Sequence, residues 1–261
     1  MIRTTIEFIK EIQKDLSKWE SKTKPWFRGE AGDDPPLCPK IASFQHNKEN
    51  YLLQSFRRQA GGLANVPHRE QTDMWLFMAQ HYGVQTRLLD WTEGALLALY
   101  FAINEGKPNP RIYMLNPRKL NDIAGLKTSP PNYPLSWFGG GSLYISLAWQ
   151  NRNLNDDQQN LMKELNLSLK IPIAFPATYQ DQRMIAQRSC FTIHGLELKP
   201  IQEILTDNDI ELKKCLFEYT IDIRTRSLLL QELSILGISA ATIFPDLDHL
   251  ARDLMSDIGS L

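Results

Sequence analysis

Several things are scarce in this chain, and each scarcity removes a class of function. Cysteine occurs three times, at Cys38, Cys190 and Cys215, too far apart for a CxxC pair or for the Cys/His cluster that structural zinc requires. An odd count without a disulfide framework fits a reducing compartment. An excess of one charge is also missing. Lys and Arg total 29 against 30 Asp and Glu, a net charge of -1, which argues against a histone-like clamp on nucleic acid and leaves room only for a local basic groove. No window approaches the roughly 18–20 apolar residues of a membrane span. The N-terminal MIRTTIEFIKEI is interrupted by charges every few residues, so it reads as an amphipathic helix and not as a signal sequence. The expectation is a cytoplasmic protein with no membrane partner. The chain also has no GxxxxGK[ST], no GxGxxG after a strand, no HExxH and no GxSxG, and the bare glycines at 139–141 make no phosphate loop.

What is present suggests one α+β domain, a small mixed sheet flanked by helices. Ile6, Ile9, Ile12, Leu16 and Trp19 recur at helical spacing and predict a first helix over Thr5–Trp19, within an N-terminal segment 1–24. WFRGE at Trp26–Glu30 reads as a short buried strand, followed by a turn-rich loop. Helices are expected over Lys48–Ala60 and over Thr72–Tyr82, the latter capped by Thr72 or Asp73 and closed by Gly83 with a positive φ. Gln85–Asp90 is extended, and Thr92 is read as the cap of a buried Ala/Leu-rich helix, Glu93–Asn104. Strands are expected at 111–115, 171–175, 191–194 and 217–223, and helices at Thr225–Leu236 and Asp246–Ile258. Between about 120 and 170 the pattern weakens into an irregular insertion with exposed-type aromatics such as Trp137 and a polar helical stretch, Asn151–Asn166.

The densest polar cluster is AQHYGVQTRLLDWTEGALLALYFA. It sets His81, Tyr82, Thr86, Arg87, Asp90 and Trp91 just ahead of an apolar run. Such a segment presents hydrogen-bonding groups at the edge of a core. Arg28 carries two readings, an internal ion pair or an anion-binding fork at a pocket edge. His81 complements a helix C-terminus or serves a site. Asp90 anchors an arginine, caps a helix or takes part in chemistry. A second polar run places Asp181, Arg183 and Gln187 before the strand at Cys190. Asp246 and Asp248 read most simply as caps of the last helix.

WFRGE, QHYGVQTRLLDWT with ALYFA close behind, Arg183, Gln187 and Phe191 in order, and FPDLDHLA together resemble the FRG domain, a family of bacteria and their viruses named for the tripeptide found here at Phe27, Arg28 and Gly29. The resemblance runs from about Trp26 to Leu254, so that 25–261 is read as FRG domain, and it implies a toxin or anti-phage defence setting with a partner protein from the same system. A more distant similarity is to mono-ADP-ribosyltransferases, whose first motif is an aromatic-Arg-Gly strand with the arginine on the NAD phosphates. LDWT followed by ALYFA resembles their second motif in layout, with Asp90 and Trp91 in place of hydroxyl residues. Their third motif supplies a glutamate; the comparable Asp181, Gln182 and Arg183 include none. This departure implies an altered mechanism, Asp181 or Asp90 as substitute, or no transferase activity.

Three functions follow as expectations. The first is an NAD-using effector that transfers ADP-ribose to a nucleic acid or protein, or hydrolyses NAD. Its catalytic residues are Arg28, His81, Asp90, Asp181, Arg183 and Gln187, and Arg28, Tyr82, Thr86, Arg87 and Trp91 hold the cofactor. The second is a non-catalytic module for nucleotides or single-stranded nucleic acid. The third, a metal-dependent hydrolase using Asp90, Asp181, Asp246 or Asp248, lacks any recognisable ligand spacing, and no metal is expected.

Overall fold

The structure is a computed structural model that describes residues 1–19, 23–33, 36–44, 48–64, 66–68, 71–126, 168–176, 179 and 181–259. Trp137 and the helix expected over Asn151–Asn166 lie outside the described residues.

The chain forms a single α+β domain built on one six-stranded sheet. Its strands are β1 (Trp26–Glu30), β2 (Leu88–Thr92), β3 (Arg111–Leu115), β4 (Ile173–Pro176), β5 (Ser189–Ile193) and β6 (Leu216–Thr220), in the order β4-β5-β2-β1-β3-β6. The sheet was expected to be mixed; every neighbouring pair of these strands runs antiparallel. The strand carrying Arg28 therefore lies in the interior of the sheet. It is fully laddered to β3 from Trp26↔Leu115 to Glu30↔Arg111, and is joined to β2 through Phe27↔Thr92.

Strand alternation sorts β1 into two faces. Phe27 joins Ile112, Met114, Phe217 and Tyr219 in a core shared with the helices α1 (Thr5–Leu16), α4 (Ala95–Ile103) and α8 (Arg226–Ile235), and with Ile243 near the C-terminus. Trp26 joins Tyr113, Leu115 and Leu216 in a second core. That core takes in Leu53 of α2 (Lys48–Ala60), Leu76 and Phe77 of α3 (Thr72–His81), Leu120 of α5 (Pro117–Ile123), and Ile201, Ile204 and Leu205 of α7 (Ile201–Asp207). The remaining α-helices among the described residues are α6 (Gln182–Ala186), α9 (Ala240–Ile243) and α10 (Leu247–Gly259).

Gly29 has a steric reason. A Cβ built there would lie 1.9 Å from the Ala98 carbonyl oxygen and 2.6 Å from the Ala102 nitrogen, both backbone atoms of α4. Only a residue without a side chain lets the Ala-rich helix settle on the strand, which is the meaning of an isolated strand glycine.

Local details depart from the sequence reading where tertiary contacts decide. In α1 the buried face is Phe8 and Ile12, with Leu16 packed against the same core, whereas Ile6 and Ile9 of the expected stripe are exposed. The α3 N-cap position is Gln71, with no side-chain cap bond. Gly83 does hold a positive φ of 83°, and Val84 N–H closes the helix end on the Ala79 carbonyl at 2.9 Å. Helix α4 starts at Ala95 after Gly94. Thr92 is the last residue of β2, and its hydroxyl accepts the Gly94 N–H at 3.0 Å, one step before the helix.

Candidate functional site

Three of the predicted site residues meet at one place. Along α3, Met74, Met78 and His81 share a helical face, and the helix ends where Tyr82 turns outward, 64% exposed. Opposite stands Asp181, the N-cap of α6. Its Oδ1 accepts the Met184 N–H at 2.8 Å, and its Oδ2 lies 3.3 Å from His81 Nδ1. Between the two helices is an open hollow of about 320 Å³. Its deep wall is apolar and sulphur-rich, made by the buried Phe77, Met78 and Met184. Val66, Pro67, Gln71 and Met74 complete the lining, and among the described residues no Lys or Arg contributes to it. The rings of His81 and Tyr82 meet edge to face, with centroids 5.0 Å apart. An imidazole beside a carboxylate is a couple able to hold and pass a proton.

Arg28 and Asp90 belong to a second cluster. The Arg28 side chain is 19% exposed; its Nε donates to Glu30 Oε1 at 2.5 Å, and its Nη1 donates to the Asp90 carbonyl at 2.6 Å, with Asp90 Oδ2 3.9 Å away. Burial opposes the charge on this guanidinium, but the Glu30 and Asp90 carboxylates outweigh it, so Arg28 is held more firmly protonated than usual. Glu30 also accepts the Leu37 N–H at 3.1 Å, pinning the loop that follows β1. Thr86 joins the cluster indirectly. Its hydroxyl donates to Gln80 Oε1 at 2.6 Å, and Gln80 Nε2 donates to Asp90 Oδ2 at 3.0 Å.

Four other expected site residues lie elsewhere. Arg87 is buried and donates through Nε and Nη2 to Glu49, and through Nη1 to the carbonyls of His194 and Gly195. Trp91 is buried, with its indole N–H on Thr192 Oγ1 at 3.0 Å. Neither lines the hollow between α3 and α6, and both are engaged in buried side-chain hydrogen bonds. Arg183 lies over the Phe244 ring, 5.0 Å from its centroid, and Gln187 Nε2 donates to the Ile243 carbonyl at 3.4 Å. These two tie α6 to the C-terminal helices. Asp246 accepts the His249 backbone N–H at 2.8 Å, which is the capping role read from the sequence. Among the described residues, no group of three His, Cys, Asp or Glu side chains is placed to hold a metal ion, and no helix is long and apolar enough to cross a membrane. The Cys190 and Cys215 thiols are pushed up by burial, the latter to about 12, so neither is an available thiolate.

Sequence reasoning passed over Glu30, Glu49, Gln80 and the methionines. Glu30 was legible, because alternate residues of a strand share a face and the motif places it two beyond Arg28. Met74, Met78 and His81 also repeat at helical spacing. Glu49 carried no local signal, since its partner is on another element.

The structure is a single α+β domain with an antiparallel sheet and an open hollow between two helices. Residues 23–110, which run through β1, β2 and α2 to α4, match the FRG domain family. No curated protein and no solved structure matches the chain.

Proposed function

We propose that this protein binds the planar ring of a nucleotide, free or within a single strand, in the hollow between α3 and α6. The convergence of His81, Tyr82 and Asp181 around an apolar, methionine-rich wall carries this reading. A volume of about 320 Å³ falls in the range of small-ligand sites, roughly 300–1,000 Å³. Phe77, Met78 and Met184 offer the polarisable contacts that flat rings favour, and the exposed Tyr82 offers a stacking surface of about 1–3 kcal/mol per base. Gln71, His81 and Asp181 supply donors and acceptors for the ring edge.

Among the described lining residues there is no Lys or Arg, so the support for this reading is contact with a ring and not with a phosphate. This differs from a grip on the anion by Arg28, whose Nε and Nη1 are already engaged by Glu30 and Asp90. Titration with nucleosides, nucleotides and oligonucleotides at low and high salt tests the reading. Binding that Tyr82→Ala and Asp181→Asn each weaken is expected; flat titrations from folded protein would sink it.

One observation favours a second reading, an NAD-using effector of a toxin or anti-phage system that acts on a nucleic-acid or protein acceptor or hydrolyses NAD. The nicotinamide of NAD is a flat cation, and Asp181 puts a carboxylate beside an aromatic wall, where it would stabilise positive charge developing on the ribose. Nicotinamide release from NAD, lost in Asp181→Asn, is its expected signature. A folded protein that binds such rings and releases no nicotinamide with any acceptor leaves the binding reading alone.

A further inference from the structure

We propose that Gln80 is a positioning residue that carries the hold of the FRG arginine into the hollow, an inference that rests on the hollow being the ligand site. Gln80 sits in the last turn of α3, where its carbonyl accepts the Gly83 N–H at 3.0 Å and that of Ala79 accepts the Val84 N–H at 2.9 Å. The backbone of the helix end is thus closed, and the Gln80 side chain is left to bind other elements. The two residues that follow it, His81 and Tyr82, form the outer part of the hollow. Whatever fixes Gln80 therefore fixes the approach of His81 to Asp181.

Both ends of the Gln80 amide are engaged, and by different elements. Its NH2 donates to Asp90 Oδ2 on β2 at 3.0 Å, and its carbonyl oxygen accepts from the Thr86 hydroxyl at 2.6 Å. Thr86 Oγ1 in turn accepts the Leu88 N–H at 3.1 Å, so the amide spans from the helix end to the start of the strand. The orientation is set by chemistry, because only the NH2 can face a carboxylate and only the oxygen can face that hydroxyl proton. Asp90 is itself held. Arg28 donates to its carbonyl at 2.6 Å while bound to Glu30 on the other side, which adds a side-chain tie between β1 and β2 to their ladder pair at Phe27↔Thr92. The sequence Glu30, Arg28, Asp90, Gln80 is thus a continuous run of hydrogen bonds from the middle of the sheet to the residue before His81. Neither Gln80 nor Asp90 lines the hollow. The FRG arginine acts on the site from a distance.

The test is a charge exchange within that run. Gln80→Glu sets two carboxylates against each other where an amide met a carboxylate, and adding Asp90→Asn returns a donor to the pair. For AMP as the probe, the single substitution is expected to raise Kd about fivefold and the double to bring it back to the parent value. The ligand-free protein gives an independent readout. The His81 ring nitrogens should shift in 15N spectra of the single variant and return in the double. A single variant that leaves both measurements unchanged, or a double that fails to restore them, overturns the proposal. If the parent protein does not bind AMP, the ligand reading of the hollow is what fails, and the His81 resonances still decide the role of Gln80.

Discussion

Arg87 and Arg28 carry the same guanidinium on neighbouring strands or their approaches, and the fold treats them in opposite ways. Arg87 is closed in, with its donors taken by Glu49 from α2 and by two carbonyls from the segment after β5. Arg28 keeps 19% of its side chain exposed and joins residues of its own and the adjacent strand. Burial with full pairing makes an arginine a brace whose removal leaves an uncompensated charge. Partial exposure with a short hydrogen-bonded run attached makes it an adjustable part.

That contrast can be broken experimentally, beginning at the closed end. Arg87→Ala strands Glu49 in the interior and is expected to cost about 3–5 kcal/mol of folding stability, measured by denaturant unfolding. A cost below about 1 kcal/mol would make the two arginines equivalent.

The next largest effect concerns His194, whose carbonyl is one of the Arg87 acceptors. Burial, joined by the charge of Arg87, pushes its imidazole down to about 3 from the ordinary 6.5. The unfolded chain therefore binds more protons between those values. Stability from this group is complete above pH 6.5 and falls as pH drops toward 3, by up to about 1.4 kcal/mol per unit. His194→Phe should flatten the stability curve between pH 6.5 and 5, where the parent loses about 2 kcal/mol. A parent curve already flat there would mean that the Arg87 region tolerates a second charge. The smallest change is expected for Arg28→Ala, about 1 kcal/mol, since solvent replaces part of what is lost. The same variant should move the His81 resonances as Gln80→Glu does, which sets Arg28 apart from Arg87 by consequence as well as by size.

Element content was largely legible in the sequence. The Lys48–Ala60 helix and the Arg111–Leu115 strand have the bounds their periodicity predicts. Pairing partners were not legible, because a residue type announces its chemistry and not who satisfies it. Glu49 meets Arg87 only once α2 folds over the β2 approach. In α1 Phe8 joins Ile12 on the core while Ile6 and Ile9 stay exposed, because the face that packs is chosen by the neighbouring elements. Within the polar cluster His81 and Tyr82 face the hollow, whereas Thr86, Arg87 and Trp91 are consumed in support, a division that backbone direction decides and composition does not.

The missing side chain at position 29 reaches further than close packing. A ribbon that cannot rise from α4 on one side cannot vary the depth at which the preceding guanidinium emerges on the other. Glycine and arginine in this tripeptide are thus one mechanical specification, read from opposite faces. Retuning the cleft without touching any polar group is therefore a matter of reshaping the helix seated behind the strand.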